Sequence, residues 1–477
     1  MLAVLMSAGL AIRITDLDQS IVRFHPTRHY RSAMLARACY YDRAPGIPEW
    51  ARAVAAANRV MQPAGEPPVM EWLACRGYLA LGHENIQIPR TLAALAWVAG
   101  AIPLWWIAAR LASPAGASLG AAIYLFLPYG IVASRNFQPD PLMTLATLCA
   151  IAALLRYDER PNRARFFVAA LLVGVAGLIK PMSVFLTLPA IAAVAWTAGT
   201  GPSFVRLLIL AGTGLVLPVV YYGYSAIAGS LVRDQMRMRF EPQLIATSFF
   251  WEGLARMASR VETLPLLGLS VAAAIAGTNR LARGLLAALL AGYLAFAMVF
   301  TYHVPTHDYY HLPYIAVVAI GAAVLLARFG PQIPGLVVYG LCAATAVAGS
   351  MVAWPRLHEA NAGEFERIYE DIGELTAHDT RVLFLDTEYG YALMYHSQIS
   401  GDSWPNRDDL AAEAIDGRPA VDAETRYLRD YAEWGPRYFV ITDLGALEAS
   451  PDLQNMLERR ATAVGITDRY RVYRFKR

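Results

Sequence analysis

The 477-residue sequence is 56% hydrophobic and only 17% charged, with a mean hydropathy of +0.37, which excludes an ordinary water-soluble globular protein and makes the bilayer its main solvent. The formal net charge of +3 is small, and the basic residues are scattered through short loops without interleaved aromatics, so nucleic-acid binding has no electrostatic footprint. The four cysteines fit no zinc spacing, which removes a structural zinc site from consideration.

The chain opens with an apolar stretch over 1–14 that is shorter than the roughly 20 residues needed to cross a hydrocarbon core. It lacks a basic n-region and a cleavage site, so it reads as the end of a signal-anchor helix, with a tilted or short span as the alternative. A polar stretch over 15–88 follows, about seventy residues long and not of low complexity, far beyond an ordinary connection. Within it Tyr30, Met34, Ala38 and Tyr41 recur at helical spacing beside Arg28 and Arg31, the pattern of an interfacial amphipathic helix. A second helix is expected to begin at Pro67-Pro68 and to run through Trp72, Leu73 and Leu79.

Apolar runs suited to spanning then recur at 89–109, 115–133, 141–155, 166–179, 182–197, 205–228, 263–277, 284–302, 313–328 and 333–353. With the N-terminal segment this predicts an α-helical polytopic membrane module of about eleven helices over 1–354. Arg110, Arg156, Arg160, Arg163, Arg165, Arg206, Arg280, Arg283 and Arg328 all fall on one side if the N-terminus starts inside. That alternation leaves 15–88, 134–140, 229–262, 303–312 and everything after Trp354 on the outer side. Beyond Trp354 a helical pattern, NAGEFERIYEDIGELTA, is followed by the strand-like RVLFLD, RYFVITD and RYRVYRF, which predicts a small α/β extracytoplasmic domain over 355–477.

Cys149 and Cys342 lie inside apolar runs and read as small core residues. Cys39 and Cys75 fall in the long loop, where a disulfide can persist, but two cysteines without geometry set the expectation against a pair.

Polar residues at membrane-helix ends are costly unless used, and FHPTRHYRS, GEPPVMEWL, SRNFQPDPL and YHVPTHDYYHLP all fall on the outer side. His25, Arg28, His29 and Arg31 suit a phosphate, with anchoring to anionic headgroups as the plainer role. Arg135 and Asp140 flank a turn, where Asp140 is explained as well by helix capping as by catalysis. Lys180 precedes Pro181 and serves either to neutralise a lipid phosphate or to snorkel to the headgroups. His303, His307, Asp308 and His311 match no metal spacing; with Tyr309 and Tyr310 they form a surface suited to stacking on a sugar ring. No cofactor is expected, with a divalent metal as the lesser alternative.

These blocks, together with GLIKP, resemble the GT-C superfamily, and within it the bacterial relatives of protein O-mannosyltransferases and lipid A aminoarabinose transferases. The resemblance runs over most of the chain and implies a multi-pass protein of the cytoplasmic (inner) membrane. It implies a hexosyl- or pentosyltransferase moving sugar, with inversion, from a polyprenyl-phosphate donor to a glycan, lipid or protein acceptor at the outer face. Arg28, Arg31, Arg135, Lys180, His303, His307, Asp308, Tyr310 and His311 would then bind substrate. Relatives typically read His-Pro-Asp-Glu where this chain has His25-Pro26-Thr27-Arg28, so the expected general base is absent. Asp18, Asp140 and Glu66 are the candidate replacements, with His25 as the non-carboxylate choice. A transporter or lipid flippase is the competing reading, but it predicts charged midplane sites and internal symmetry that the sequence lacks. A non-catalytic scaffold or sensor stays open because of Thr27.

The predicted sidedness has a direct check. With the four native cysteines replaced by serine, an impermeant thiol reagent should label Ser403→Cys from outside intact cells and Asn162→Cys only after permeabilisation. Labelling of both from the same side overturns the topology.

Overall fold

A computed structural model describes residues 1–19, 24–61, 65–198, 202–228, 240–277, 279–329, 333–358, 362–415 and 417–476. Each apolar run expected from the sequence coincides with a helix. Among the described residues six helices are long and apolar enough to cross a membrane: Gln87–Leu111, Asp140–Glu159, Phe204–Ile227, Arg280–Val299, Asp308–Arg328 and Gly335–Leu357. The pair Ser248–Val261 and Leu264–Ala276, bent by 96°, makes a seventh if it is one span. Leu2–Arg13, Pro114–Phe126 and Pro181–Thr197 are apolar but shorter. Length and composition therefore establish fewer spans than the eleven expected. Prolines break or shorten several runs, as the 115–133 run shows by dividing at Leu127 into Pro114–Phe126 and Pro128–Ala133.

That break is made tolerable by side chains. Pro128 has no N–H to offer the carbonyl of Tyr124, which instead accepts from the Trp97 indole at 3.3 Å. The carbonyl of Leu125 accepts from Arg13 Nη2 at 2.7 Å, while Arg13 Nε donates to Ser134 Oγ at 2.7 Å and Nη1 to Gly9 O at 2.8 Å. Arg13 is fully buried, and its fork of donors is spent on groups that the broken helix and its neighbours leave unpaired.

The chain divides into two compact units. The first comprises 1–17, 65–69 and 90–358, and holds the apolar helices. The second comprises 18–64, 70–89 and 359–477, so the long polar loop groups with the C-terminal segment. In the second unit Pro26–Tyr41, Glu49–Met61 and Val69–Leu81 are helical; the middle one was not anticipated. The helix expected to be interfacial buries Tyr30, Met34 and Ala38 in protein, with the Tyr30 ring 5.0 Å from those of Tyr395 and His396. Cys39 and Cys75 are bonded, with Cα atoms 5.9 Å apart, contrary to the expectation. Pro26–Tyr41 and Val69–Leu81 bring together cysteines 36 residues apart, a proximity that spacing alone does not reveal. Closing such a loop stabilises a fold by about 3–4 kcal/mol in the chain-entropy account.

The C-terminal segment forms a five-stranded sheet of β1 (Val382–Leu385), β2 (Gly401–Ser403), β3 (Tyr438–Ile441), β4 (Ala461–Ile466) and β5 (Arg471–Phe475), in the order β2-β1-β3-β5-β4. The three strand-like motifs became β1, β3 and β5; β2 and β4 were unforeseen. Strands β1, β2 and β3 are parallel, and all four residues of β1 are buried, as a strand covered on both faces requires. Leu383, Leu385, Phe439 and Ile441 pack with Trp404, Tyr427, Leu453 and Leu457 in the domain core. The chain leaves β1 toward β2 and returns to pair β3 on β1's other side, so the sheet has a topological switch point between β1 and β3.

Asp386 ends β1 at that point and is 7% exposed. Burial pushes its carboxyl from the ordinary 3.8 up to about 7, with the Thr442 hydrogen bond opposing and the charge of Asp443 adding to the rise. The folded state thus holds a proton that the unfolded chain releases, so this group's contribution to stability falls as pH rises from about 4 to 7 and stays low above. That rise in pKa corresponds to about 4 kcal/mol. Asp386→Asn should therefore melt higher than the parent at pH 8, the advantage shrinking toward pH 4. Equal differences at both pH values in thermal unfolding of the full chain would contradict this.

Candidate functional site

The first unit gathers buried polar groups at helix ends and breaks. Asp140 is the first residue of Asp140–Glu159, and the N-cap position before it is Pro139. Asp140 Oδ1 accepts from Lys180 Nζ at 2.7 Å, with the two side chains 0% and 4% exposed. Both plainer readings are thereby corrected: Asp140 is not a cap, and Lys180 does not snorkel. The reason is mutual, since each charge is far cheaper to bury beside the other than alone. Lys180 Nζ also lies 5.4 Å and 5.3 Å from the ring centres of Tyr309 and Tyr310, within cation–π range. The second oxygen, Asp140 Oδ2, is buried without a hydrogen bond among the described residues.

Asp308 extends this cluster. It accepts from the Tyr129 hydroxyl at 2.7 Å and pairs with Arg260 Nη1 at 3.1 Å. Arg260 comes from Ser248–Val261, a helix within a stretch read as an outer loop, where its six buried residues mark an amphipathic face. This helix approaches the 303–306 turn so closely that a Cβ on Gly253 would fall 2.6 Å from Pro305, which only glycine permits. His311 Nε2 lies 2.9 Å from the Val304 carbonyl and must donate to it. In the neutral ring Nδ1 then accepts from the Tyr293 hydroxyl, and Glu262 Oε1 sits 3.5 Å from the same nitrogen. The rings of His303 and His307 stack at 5.3 Å, and both lie about 6 Å from that of Tyr310. No group of three or more His, Cys, Asp or Glu residues suited to a metal ion occurs among the described residues.

Arg135 is 3% exposed; its Nη2 donates to the Asp16 carbonyl at 2.6 Å, and its own carbonyl accepts from Arg90 Nε at 3.3 Å. Asp16 in turn pairs with His358 at 2.8 Å. Glu66 lies where its charge acts on Tyr221 and Tyr222. The structure thus joins Asp140, Lys180, Tyr310 and their neighbours, while Arg135 and Glu66 have partners of their own.

The second unit holds the remaining candidates. His25 adopts a left-handed conformation at φ 50° and opens Pro26–Tyr41, with Pro26 in the first turn where its missing N–H costs nothing. Thr27 Oγ1 lies 2.9 Å from Glu388 Oε2 and 3.0 Å from the Glu388 carbonyl. Glu388 and Tyr389 hold φ values of 52° and 60°, a strained pair of the kind found at sites held in place by their surroundings. Burial pushes the Tyr391 hydroxyl up, opposed by the positive charges of Arg31 and Arg28. Asp18 is exposed.

The sequence reading missed Tyr129, Arg260, Glu262, Tyr293 and Glu388. For Glu262 a signal existed, a carboxylate directly before an apolar run that opens with Leu-Pro. Glu388 carried none, because its meaning comes from Thr27, 361 positions away.

The buried pair makes a stability prediction. Lys180→Met should destabilise the detergent-solubilised protein by about 3–5 kcal/mol by leaving Asp140 uncompensated, and adding Asp140→Leu should recover most of the loss. If the double variant melts no higher than the single, the pair is not the energetic unit described.

Residues 65–222 match the family described as dolichyl-phosphate-mannose-protein mannosyltransferase. No curated protein sequence matches the chain. ArnT from Cupriavidus metallidurans, solved bound to undecaprenyl phosphate, is similar over 99% of this chain and 97% of its own at 17% identity, with a TM-score of 0.61. Its apo structure gives a TM-score of 0.63 at 16% identity. The Archaeoglobus fulgidus oligosaccharyltransferase in complex with Zn and sulfate is similar over 97% of this chain and 71% of its own at 13% identity, with a TM-score of 0.56. From the apolar helices, the small C-terminal sheet and these likenesses, the chain is a multi-pass membrane protein with an ArnT-like fold.

Proposed function

We propose that this protein transfers a sugar, with inversion, from a polyprenyl-phosphate donor to an acceptor hydroxyl at the outer face of the cytoplasmic membrane. The observation that carries the reading is the likeness across nearly the whole chain to a structure solved with undecaprenyl phosphate, together with buried ionisable groups clustered on the membrane helices. Such groups are expensive in an apolar medium and are kept where they act on substrate. The Cys39–Cys75 bond supports an extracytoplasmic second unit, since disulfides persist in oxidising compartments.

In the reaction the acceptor oxygen bonds to the anomeric carbon, and the bond from that carbon to the phosphate oxygen breaks. The lipid phosphate leaves with the electron pair, and the hydroxyl proton passes to a base. In the membrane unit cationic Lys180 and Arg135 are the groups fitted to the departing phosphate, and the tyrosines and histidines of 303–311 to the sugar. For the base two carboxylates have support from geometry. Asp140 presents the buried oxygen Oδ2 without a hydrogen bond, and Glu388 stands against Thr27, where the resemblance leads one to expect an acid. Asp18, Glu66 and His25 are the further candidates.

The measurement is turnover in liposomes with a polyprenyl-phosphate sugar, for Asp140→Asn, Glu388→Gln, Asp18→Asn, Glu66→Gln and His25→Ala. The amides keep shape and remove the base, so Glu388→Gln or Asp140→Asn should lose about 10²-fold or more of turnover with donor binding retained. Full activity in all five variants rules out a base from this set.

A further inference from the structure

The C-terminal sheet carries a cleft of about 290 Å³ that has no part in the reaction above. It opens at the carboxyl ends of β1 and β3, where the strand order on the sheet reverses and loops diverge to leave a crevice. Asp386 and Thr387 follow β1, Thr442 and Leu444 follow β3, and Phe365, Ile368 and Tyr369 of helix Ala362–Leu375 close one wall. Asp468 and Arg469, from the β4–β5 turn, complete the lining with Glu364. The size is at the low end of small-molecule pockets, which start at about 300 Å³, and suits one ring rather than an extended chain.

The chemistry of the lining selects among ligands. Thr442 Oγ1 donates to Asp386, which forms a nearly buried polar floor also reached by the Tyr369 hydroxyl. Arg469 is held by Glu364 at 2.9 Å and lies 3.9 Å from Asp468. The lining therefore has three carboxyl groups against one guanidinium already engaged, which repels a phosphate or carboxylate. The three acids do not come together as a metal-binding group. The side wall is different in character: Phe365 is 37% exposed, an aromatic ring presented at the edge of a polar crevice beside Ile368 and Leu444. Carboxyl and hydroxyl acceptors on the floor with an aromatic face at the side match a molecule that has hydroxyl donors around its edge and an apolar C–H face.

We infer that this cleft is a saccharide-binding site, taking one uncharged sugar ring with its hydroxyls on Asp386, Asp468 and Thr442 and its C–H face on Phe365. It lies in the second unit, and its occupancy is an equilibrium property that does not require the transferase reading to hold.

The test is saturation-transfer NMR on the full chain in a sugar-free detergent, with the methyl glycosides of glucose, galactose, mannose and arabinose and with N-acetylglucosamine as probes. At least one probe should receive saturation, strongest on the C–H protons of one ring face. Phe365→Ala should weaken its binding by about fivefold, the scale of one aromatic contact, and Phe365→Tyr should restore it. Phe365 is at the surface, so its replacement leaves the fold intact; Lys180→Met/Asp140→Leu should not change the signal. Absence of transfer from every probe, transfer that survives Phe365→Ala, or displacement by inorganic phosphate overturns the assignment. So does a signal lost only in the double variant, which places the sugar in the membrane unit and leaves the transferase reading standing.

Discussion

Between Asp140 and Lys180, 2.7 Å separates the oppositely charged ends of two side chains that are almost wholly buried in protein. Burying either ion alone costs several kcal/mol even after relaxation, so the helix that begins at Asp140 and the helix that ends before Lys180 are committed to one arrangement. The constraint spreads outward. Lys180 fixes where Tyr309 and Tyr310 lie, the 303–314 segment that carries them also carries Asp308 and His311, and Asp308 fixes Tyr129 and Arg260. A mostly apolar bundle thus has its polar registry set by a small number of expensive groups, each tolerable only in the presence of the next.

The same accounting governs the backbone. Where a proline interrupts a helix in an apolar medium, carbonyls lose their partners and nothing outside the protein replaces them. The Trp97 indole and the guanidinium of Arg13 answer the break at Pro128, reaching it from two different helices. The break at Pro128 thus brings polar side chains and irregular backbone together inside the apolar unit.

The second unit works by different physics. It has a conventional core around β1 and β3, with a disulfide between two of its helices. Arg37 shows the contrast with the first unit: burial lowers its affinity for a proton, yet Glu84 at 2.8 Å and the ring of Tyr395 more than restore it. Here residues from the long loop and from the C-terminal segment complete one another, as Thr27 and Glu388 do. A function for either segment cannot be assigned from that segment alone.

Periodicity and charge in the sequence determined a great deal. The apolar runs located the long helices of the membrane unit but not Ser248–Val261, arginine placement suggested a sidedness, and short apolar stretches marked β1, β3 and β5. Those features are legible because they depend on neighbours within one turn or strand. Composition also pointed to Asp140, Lys180 and the 303–311 segment, since ionisable residues beside apolar runs are conspicuous. Their roles were another matter. That Asp140 meets Lys180 instead of capping its helix, that Cys39 reaches Cys75, and that Glu388 meets Thr27 were decided only by tertiary structure. Each depends on a distance across chain separations of 36 to 361 residues. The free energy of a charge, a thiol or a carboxylate is set by what lies within a few ångströms, and no local pattern encodes that.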